Sequence, residues 1–204
     1  MPPEQDRRIR NALIELCFEC GFARVTAEDL CGRAGVDLLT FELQYSDLED
    51  CFMQVYLAEL EAFRRRISRV RDTDGPWRDR VRATGYELLR FLAEDEKVAH
   101  FVVVEVRSAG EPVQRVIEAE VEAMVDLIDE GRACLDDPDS LSRVTAEQVS
   151  GSYFIQLYAL VGNGPLPPEE EIIPQMMYTA VLPYLGPQAA LEELSTPPPP
   201  SPSG

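Results

Sequence analysis

The most reactive side chains in this sequence are five cysteines and a single histidine, and four of the cysteines, Cys17, Cys20, Cys31 and Cys51, fall in the first 51 residues. The Cys17-x-x-Cys20 spacing suggests a metal or a redox pair. A structural zinc site needs four ligands, however, and no second paired set follows. At helical spacing Cys17 shares an apolar face with Leu13 and Leu16, and Cys31 and Cys51 also fall at core-facing positions, so these three read as small buried hydrophobes. Cys20 is the candidate for redox sensing, which requires an exposed thiol of lowered pKa. The lone His100 fits a core or surface histidine better than a ligand. With no Ser-His-Asp set, no Gly-rich phosphate loop and carboxylates scattered along helix faces, neither a catalytic residue nor a metal or cofactor is expected.

A different chemistry, hydrogen bonding to base edges and phosphates, is available in the run Asp37-Leu38-Leu39-Thr40-Phe41-Glu42-Leu43-Gln44-Tyr45. Glu42 can accept a hydrogen bond from cytosine N4, Gln44 can pair with adenine, and Leu38 or Phe41 can touch a thymine methyl. Upstream, Arg7, Arg8 and Arg10 form a cationic cluster suited to phosphate or minor-groove contact. Three short helices must position these groups. The first, about Glu4 to Cys20, carries Ile9, Leu13, Leu16, Cys17 and Cys20 on one stripe and stops at Gly21. Thr26 caps the second with Asp29 as its reciprocal acid, and Asp37 caps the third, which follows the turn at Gly35. A helix reached through a Gly turn in this way is the helix-turn-helix arrangement that enters the DNA major groove.

Charge works against that reading. The formal net charge is −18 over 204 residues, and residues 1–50 hold five arginines against eleven carboxylates. Only the surface that meets phosphate needs to be positive, so the arginine cluster ahead of the first helix carries more weight than the total. The length suits a small head, residues 1–50, on a body, residues 51–194, followed by a Pro/Ser-rich tail, residues 195–204, expected to be disordered. The absence of a long apolar window and of a secretory leader points to a cytoplasmic protein, and an odd cysteine count agrees with a reducing compartment.

The body reads as helices throughout. A fourth helix opens at Ser46, with Glu49 completing a capping box, links head to body from residue 47 and runs to about Asp72. Its Arg64-Arg65-Arg66, Arg69 and Arg71 suggest a solvated face or ion pairs with the acidic body. Gly75-Pro76 starts a fifth helix, a sixth spans about Glu96 to Arg107, and a seventh runs from Val113 and fades near Cys134. The eighth opens at a Thr145-x-x-Gln148 box and is apolar almost all round; the ninth covers about Glu171 to Tyr184, with Pro183 and Gly186 closing it. Helices apolar on more than one face must bury more than one face, so Phe154, Tyr158, Val161, Ile173, Met176, Met177 and Ala180 are expected to meet a partner subunit. Trp77, Phe91, His100, Phe101, Tyr153, Gln156 and Tyr158 are the candidate lining of a mainly apolar pocket for a small hydrophobic effector.

On Ala12-Leu13, Leu16, Gly21-Phe22, Thr26, Leu30, Arg33-Ala34-Gly35-Val36, Thr40-Phe41, Tyr45 and Cys51-Phe52, the chain resembles the tetracycline-repressor (TetR) family of transcriptional regulators. Ala180-Val181-Leu182-Pro183-Tyr184-Leu185-Gly186-Pro187 looks like the closing helix of many actinobacterial members. The resemblance implies an all-α fold of nine or ten helices, a homodimer joined through helices eight and nine, a small-molecule pocket in the body, and repression through binding of a palindromic double-stranded DNA operator. It also assigns Thr26 to a phosphate and places Thr40 and Tyr45 at or behind the reading face. The recognition helix is divergent: the family commonly has Lys, Gly, Tyr and His where this chain has Leu38, Leu39, Glu42 and Leu43, and its phosphate-contacting Lys at the start of the fourth helix is Leu48 here. Loss of those cations removes much of the sequence-independent affinity.

Overall fold

A computed structural model describes residues 3–71 and 75–199. Among them nine α-helices follow in order: α1 Pro3–Cys20, α2 Ala27–Ala34, α3 Leu38–Glu42, α4 Leu48–Arg71, α5 Trp77–Glu94, α6 Glu96–Val103, α7 Glu111–Asp129, α8 Val144–Gly162 and α9 Glu169–Glu193. Short 3-10 turns fill Phe22–Arg24, Glu105–Ser108, Glu130–Cys134 and Pro138–Ser140. No strand occurs among the described residues, so the fold is all-α, and none of their helices is long and apolar enough to cross a membrane. The chain divides into two compact units, Met1–Ala62 with Asp95–Ile117, and Phe63–Glu94 with Glu118–Gly204.

In the first unit the α1 stripe does what its spacing demands: Ile9, Leu13 and Cys17 are fully buried, as are Leu30 of α2, Cys51 and Phe52 of α4 and Phe101 of α6. Phe52 sits between Phe22 and Phe101, its ring centroid 4.6 Å from the first and 4.4 Å from the second. Removal of apolar area on this scale is the main stabilising term for so small a unit. The end of α2 is a left-handed cap. Gly35 has φ +64°, and Val36 N donates to Cys31 O at 3.1 Å, a conformation that glycine adopts without a Cβ penalty.

In the second unit α5 packs on α9. The Trp77 indole donates to Leu127 O at 2.7 Å and meets Tyr184 edge-on at 5.1 Å, which answers its one polar atom inside the core. Gly131 passes directly beneath this pair. A Cβ there would lie 2.7 Å from Trp77 Cζ2 and 2.8 Å from Tyr184 Cγ. Gly131→Ala is expected to lower stability by about 1–3 kcal/mol through overpacking, measured by urea unfolding; an unchanged midpoint would contradict the tight packing.

Several element ends differ from the sequence reading. The cap of α4 is Asp47, which accepts from Asp50 N at 2.8 Å, while Ser46 N donates to Asp50 Oδ2 at 2.9 Å; the reciprocal pair is shifted by one residue from Ser46 and Glu49. Helix α6 ends at Val103 and continues only as a 3-10 turn. Helix α8 starts before Thr145 and has no side-chain cap. Helix α9 passes through Pro183, breaks at Gly186, with φ +79° and ψ 177°, and resumes to Glu193. Pro187 opens that last segment, where its missing N–H costs nothing. The segment is held because Glu193, 1 % exposed, receives Arg82 Nε at 2.9 Å and Arg82 Nη2 at 2.8 Å. Of the expected disordered tail, Ser195 and Thr196 hydrogen-bond Glu192 O through their hydroxyls, and residues 200–204 lie outside the described residues.

Candidate nucleic-acid interface and ligand site

The two caps of the helix-turn-helix form as their residue types dictate. Thr26 Oγ1 accepts from Asp29 N at 3.1 Å and donates to Asp29 Oδ2 at 2.7 Å. Asp37 accepts from Thr40 N at 2.8 Å and from Thr40 Oγ1 at 2.9 Å. These two bonds hold the Asp37 carboxyl below its ordinary pKa, so the stabilisation from this cap is present above the usual carboxylate range and fades as pH falls through the lowered value. Asp29 lies in the first turn of α2, and the Thr26 and Thr40 hydroxyls are each engaged by a carboxylate.

The presented side of α3 is apolar and acidic. Leu39 is 65 % and Leu43 80 % exposed, with Leu38, Glu42, Gln44 and Asp37 also outward. Phe41 and Tyr45 leave the reading set: both are buried, their rings 5.2 Å apart, and Tyr45 OH donates to Asp6 Oδ1 at 3.1 Å. Their spacing on one side of the short helix turns them into the core while their neighbours face outward, so Phe41 cannot reach a thymine methyl.

The arginines of the head divide the same way. Arg10 gives its Nε to the buried Glu59 at 2.5 Å, which removes it from the free cationic cluster. Arg33 is clamped by Glu19 at 2.8 Å and Glu15 at 3.4 Å. Arg7 and Arg8 are exposed and have no ion-pair partner among the described residues. With Arg24, exposed and bonded through Nε to Cys20 O at 2.5 Å, they are the head arginines without a carboxylate partner among the described residues. Sequence reasoning did not identify Glu59 or Glu105. Glu105, also buried, accepts from Phe22 N at 2.7 Å and so fixes the turn that leads into α2; His100 Nδ1 lies 3.6 Å from it. Neither carboxylate belongs to a motif, and only the fold reveals its partner.

The thiols show no reactive pair. Burial pushes the Cys51 thiol up to about 12 and raises that of Cys17 further, while Cys20 donates to Leu16 O at 3.2 Å. Among the described residues no group of three or more His, Cys, Asp or Glu side chains could hold a metal.

The seven residues expected to line an apolar pocket fall in both units. His100 and Phe101 belong to the first unit, the other five to the second. Trp77 and Tyr153 are core, and Tyr153 OH donates to Met176 O. Gln156 and Tyr158 face outward, and Phe91 is half-buried beneath Arg66. Trp77, Phe101 and Tyr153 each pack within their own unit because large rings have much surface to bury. An open cavity of about 490 Å³ exists elsewhere in the second unit, and charged side chains with their apolar stems line it: Arg66 and Arg69 of α4, Glu87, Arg90, Ala93 and Glu94 of α5, and Glu169 at the start of α9.

Of the residues assigned to a partner subunit, Val161, Ile173, Met176, Met177 and Ala180 are buried inside the chain itself. Phe154 is half-buried, and Tyr158, with Ile155 at 73 % and Leu182 at 37 % exposure, remains outward.

No family model matches the chain, and no curated protein matches it in sequence. Solved structures do match. The fatty acid degradation regulator FadR from Bacillus halodurans superposes with a TM-score of 0.75 at 15 % identity, over 88 % of this chain and 95 % of that one. The transcriptional regulator FadR from Bacillus subtilis, in complex with stearoyl-CoA, gives 0.72 at 16 % over 88 % and 98 %. A TetR-like transcriptional regulator from Rhodococcus sp. RHA1 gives 0.71 at 13 % over 90 % and 97 %. The chain has the TetR-type fold. At these identities the likeness is one of fold alone. The helix-turn-helix of this TetR-type chain is complete in backbone and caps, but its exposed α3 side chains include no cation.

Proposed function

We propose that this chain is a dimeric, ligand-responsive transcriptional regulator, a repressor, in which residues 1–50 read a palindromic operator and residues 51–194 hold a small-molecule effector and the partner subunit. The observation that carries this reading is the capped α2–turn–α3 unit, which turns Leu38, Leu39, Glu42, Leu43 and Gln44 outward beside a TetR-type body. Two such heads would have to sit about 34–36 Å apart to enter successive major grooves, so a modest change in the dimer costs the fit. The stearoyl-CoA bound to the Bacillus subtilis neighbour supports a small-molecule effector. Arg7 and Arg8 supply phosphate contacts, and Glu42 and Gln44 the base contacts.

The test is selection of genomic fragments by the purified protein, then fluorescence anisotropy on the enriched sequence across a salt series. One enriched palindrome with a steep salt slope supports the regulator. The exposed leucines among carboxylates favour a second reading, a ligand- or protein-binding dimer of the same fold with weakened DNA binding, for which no fragment is enriched and partner binding varies little with salt.

Dimerisation is tested on outward residues. Ile155→Glu and Tyr158→Glu are expected to shift the protein toward monomer by at least tenfold in dissociation constant, because each places a charge in an apolar interface. Sedimentation velocity with an undiminished dimer would move the interface away from α8. Val161→Glu, by contrast, would test folding, since Val161 is 6 % exposed within one chain.

A further inference from the structure

The cavity between α4, α5 and the start of α9 has a charge arrangement that helix packing alone does not require. Three arginines and three glutamates, with Ala93, line an open space of about 490 Å³, a volume in the range of small-molecule sites. The charges balance in number but not in position. Arg66 holds two carboxylates, Glu87 at 2.5 Å and Glu94 at 2.7 Å. Arg69 holds none among the described residues. Arg90 donates Nε to Glu169 at 2.8 Å, and its two terminal nitrogens have no protein acceptor among the described residues.

Among the described residues, one part of the lining therefore carries unfilled N–H donors and, on the exposed Arg69, a positive charge with no ion-pair partner. The Arg66 group carries a surplus negative charge, with Glu94 at its solvent end, 63 % exposed. Two of the guanidinium groups are already held in place, Arg66 over the Phe91 ring at 5.6 Å and Arg90 over Tyr86 at 5.4 Å, so little ordering remains to be done on binding. A simple anion would meet the surplus carboxylate in a chain of net charge −18. A simple cation would leave Arg69 unanswered. A small molecule with both charges satisfies both ends with charge-assisted hydrogen bonds.

We propose that this cavity binds a small amino-carboxylate of the free α-amino acid class, with the carboxylate on Arg69 and the terminal nitrogens of Arg90 and the ammonium on Glu94. The site lies within the second unit, and its occupancy does not depend on whether the head reads DNA. The experiment is isothermal titration calorimetry of the full chain, without DNA, against each of the twenty free amino acids, with inorganic phosphate alongside. At least one amino acid is expected to bind. Its N-acetyl and carboxamide derivatives should each bind at least about tenfold more weakly, as loss of one charged hydrogen-bonding end predicts.

Arg69→Ala and Glu94→Gln should each weaken binding by the same factor while leaving the Trp77 fluorescence melt unchanged, since neither side chain is core. Absence of binding by all twenty, equal binding of either blocked derivative, binding of phosphate alone, or unchanged affinity in both variants would overturn the proposal. DNA selection with the same preparation separates the two questions: an enriched operator without amino-acid binding defeats this site alone, and amino-acid binding without an operator defeats the regulator alone.

Discussion

Arg82→Met will lower the unfolding free energy of the second unit by about 3 kcal/mol, the low end for a broken buried pair, because it leaves the buried Glu193 with only Arg78, 4.0 Å away. The magnitude follows from position rather than from charge as such. Glu193 is 1 % exposed and receives both Nε and Nη2 of Arg82, and Asp79 accepts from Nη1 at 2.6 Å. Arg82 itself is 9 % exposed. Trp77, the single tryptophan, lies in the same unit, so urea unfolding followed by its fluorescence reads the change directly.

The double replacement Arg82→Met with Glu193→Leu should recover most of the loss, since two apolar side chains of similar volume avoid the desolvation that the ion pair only offsets. A single variant as stable as the parent would mean that Glu193 is answered by Arg78 or by water once Arg82 is gone. A double variant as weak as the single one would mean that the last turn of α9 needs the fork itself to stay helical.

This pair also marks the boundary of what the sequence discloses. Local signals are legible because a single residue type answers a local need. Thr26 and Asp37 cap α2 and α3, Gly35 ends α2, and the Ile9-Leu13-Cys17 stripe buries itself. Nothing local says that Glu193 will be buried, that Arg10 will be spent on Glu59, or that Glu105 will hold Phe22 N. These are contacts between residues 49 to 111 positions apart, and each partner looks like any surface charge until the helices meet. The aromatic residues mislead for a related reason. Large rings at helical spacing line a cavity or fill a core with the same pattern, and Trp77, Phe101 and Tyr153 fill cores. The cavity lined by charged side chains is not legible in the sequence because its residues resemble a solvated face: of the arginine run on α4, Arg64 pairs with Glu120 and Arg66 with Glu87 and Glu94, while Arg69 lines the space.

Replacing Leu39, Glu42 and Leu43 together by lysine should raise non-specific affinity for duplex DNA by several hundredfold near 0.1 M salt. Each new phosphate contact releases about 0.9 of a counterion, equivalent to about eightfold in affinity at that salt, and the slope of log affinity against log salt should steepen by about 2.7. The substitutions are tolerable because the three side chains point outward, Leu39 at 65 % and Leu43 at 80 % exposure, and because Phe41 and Tyr45, which do hold α3 to the unit, are untouched. Glu42→Lys alone should contribute more than either leucine, since it removes a repelling carboxylate as well as adding a cation. If the triple variant gains affinity with the predicted slope, α3 meets the phosphate backbone, and the parent's leucines set a low non-specific background against which Glu42 and Gln44 can discriminate bases. If affinity and slope do not move, α3 does not approach DNA, and its leucines among carboxylates instead form the contact surface for a protein, which the same lysines should abolish.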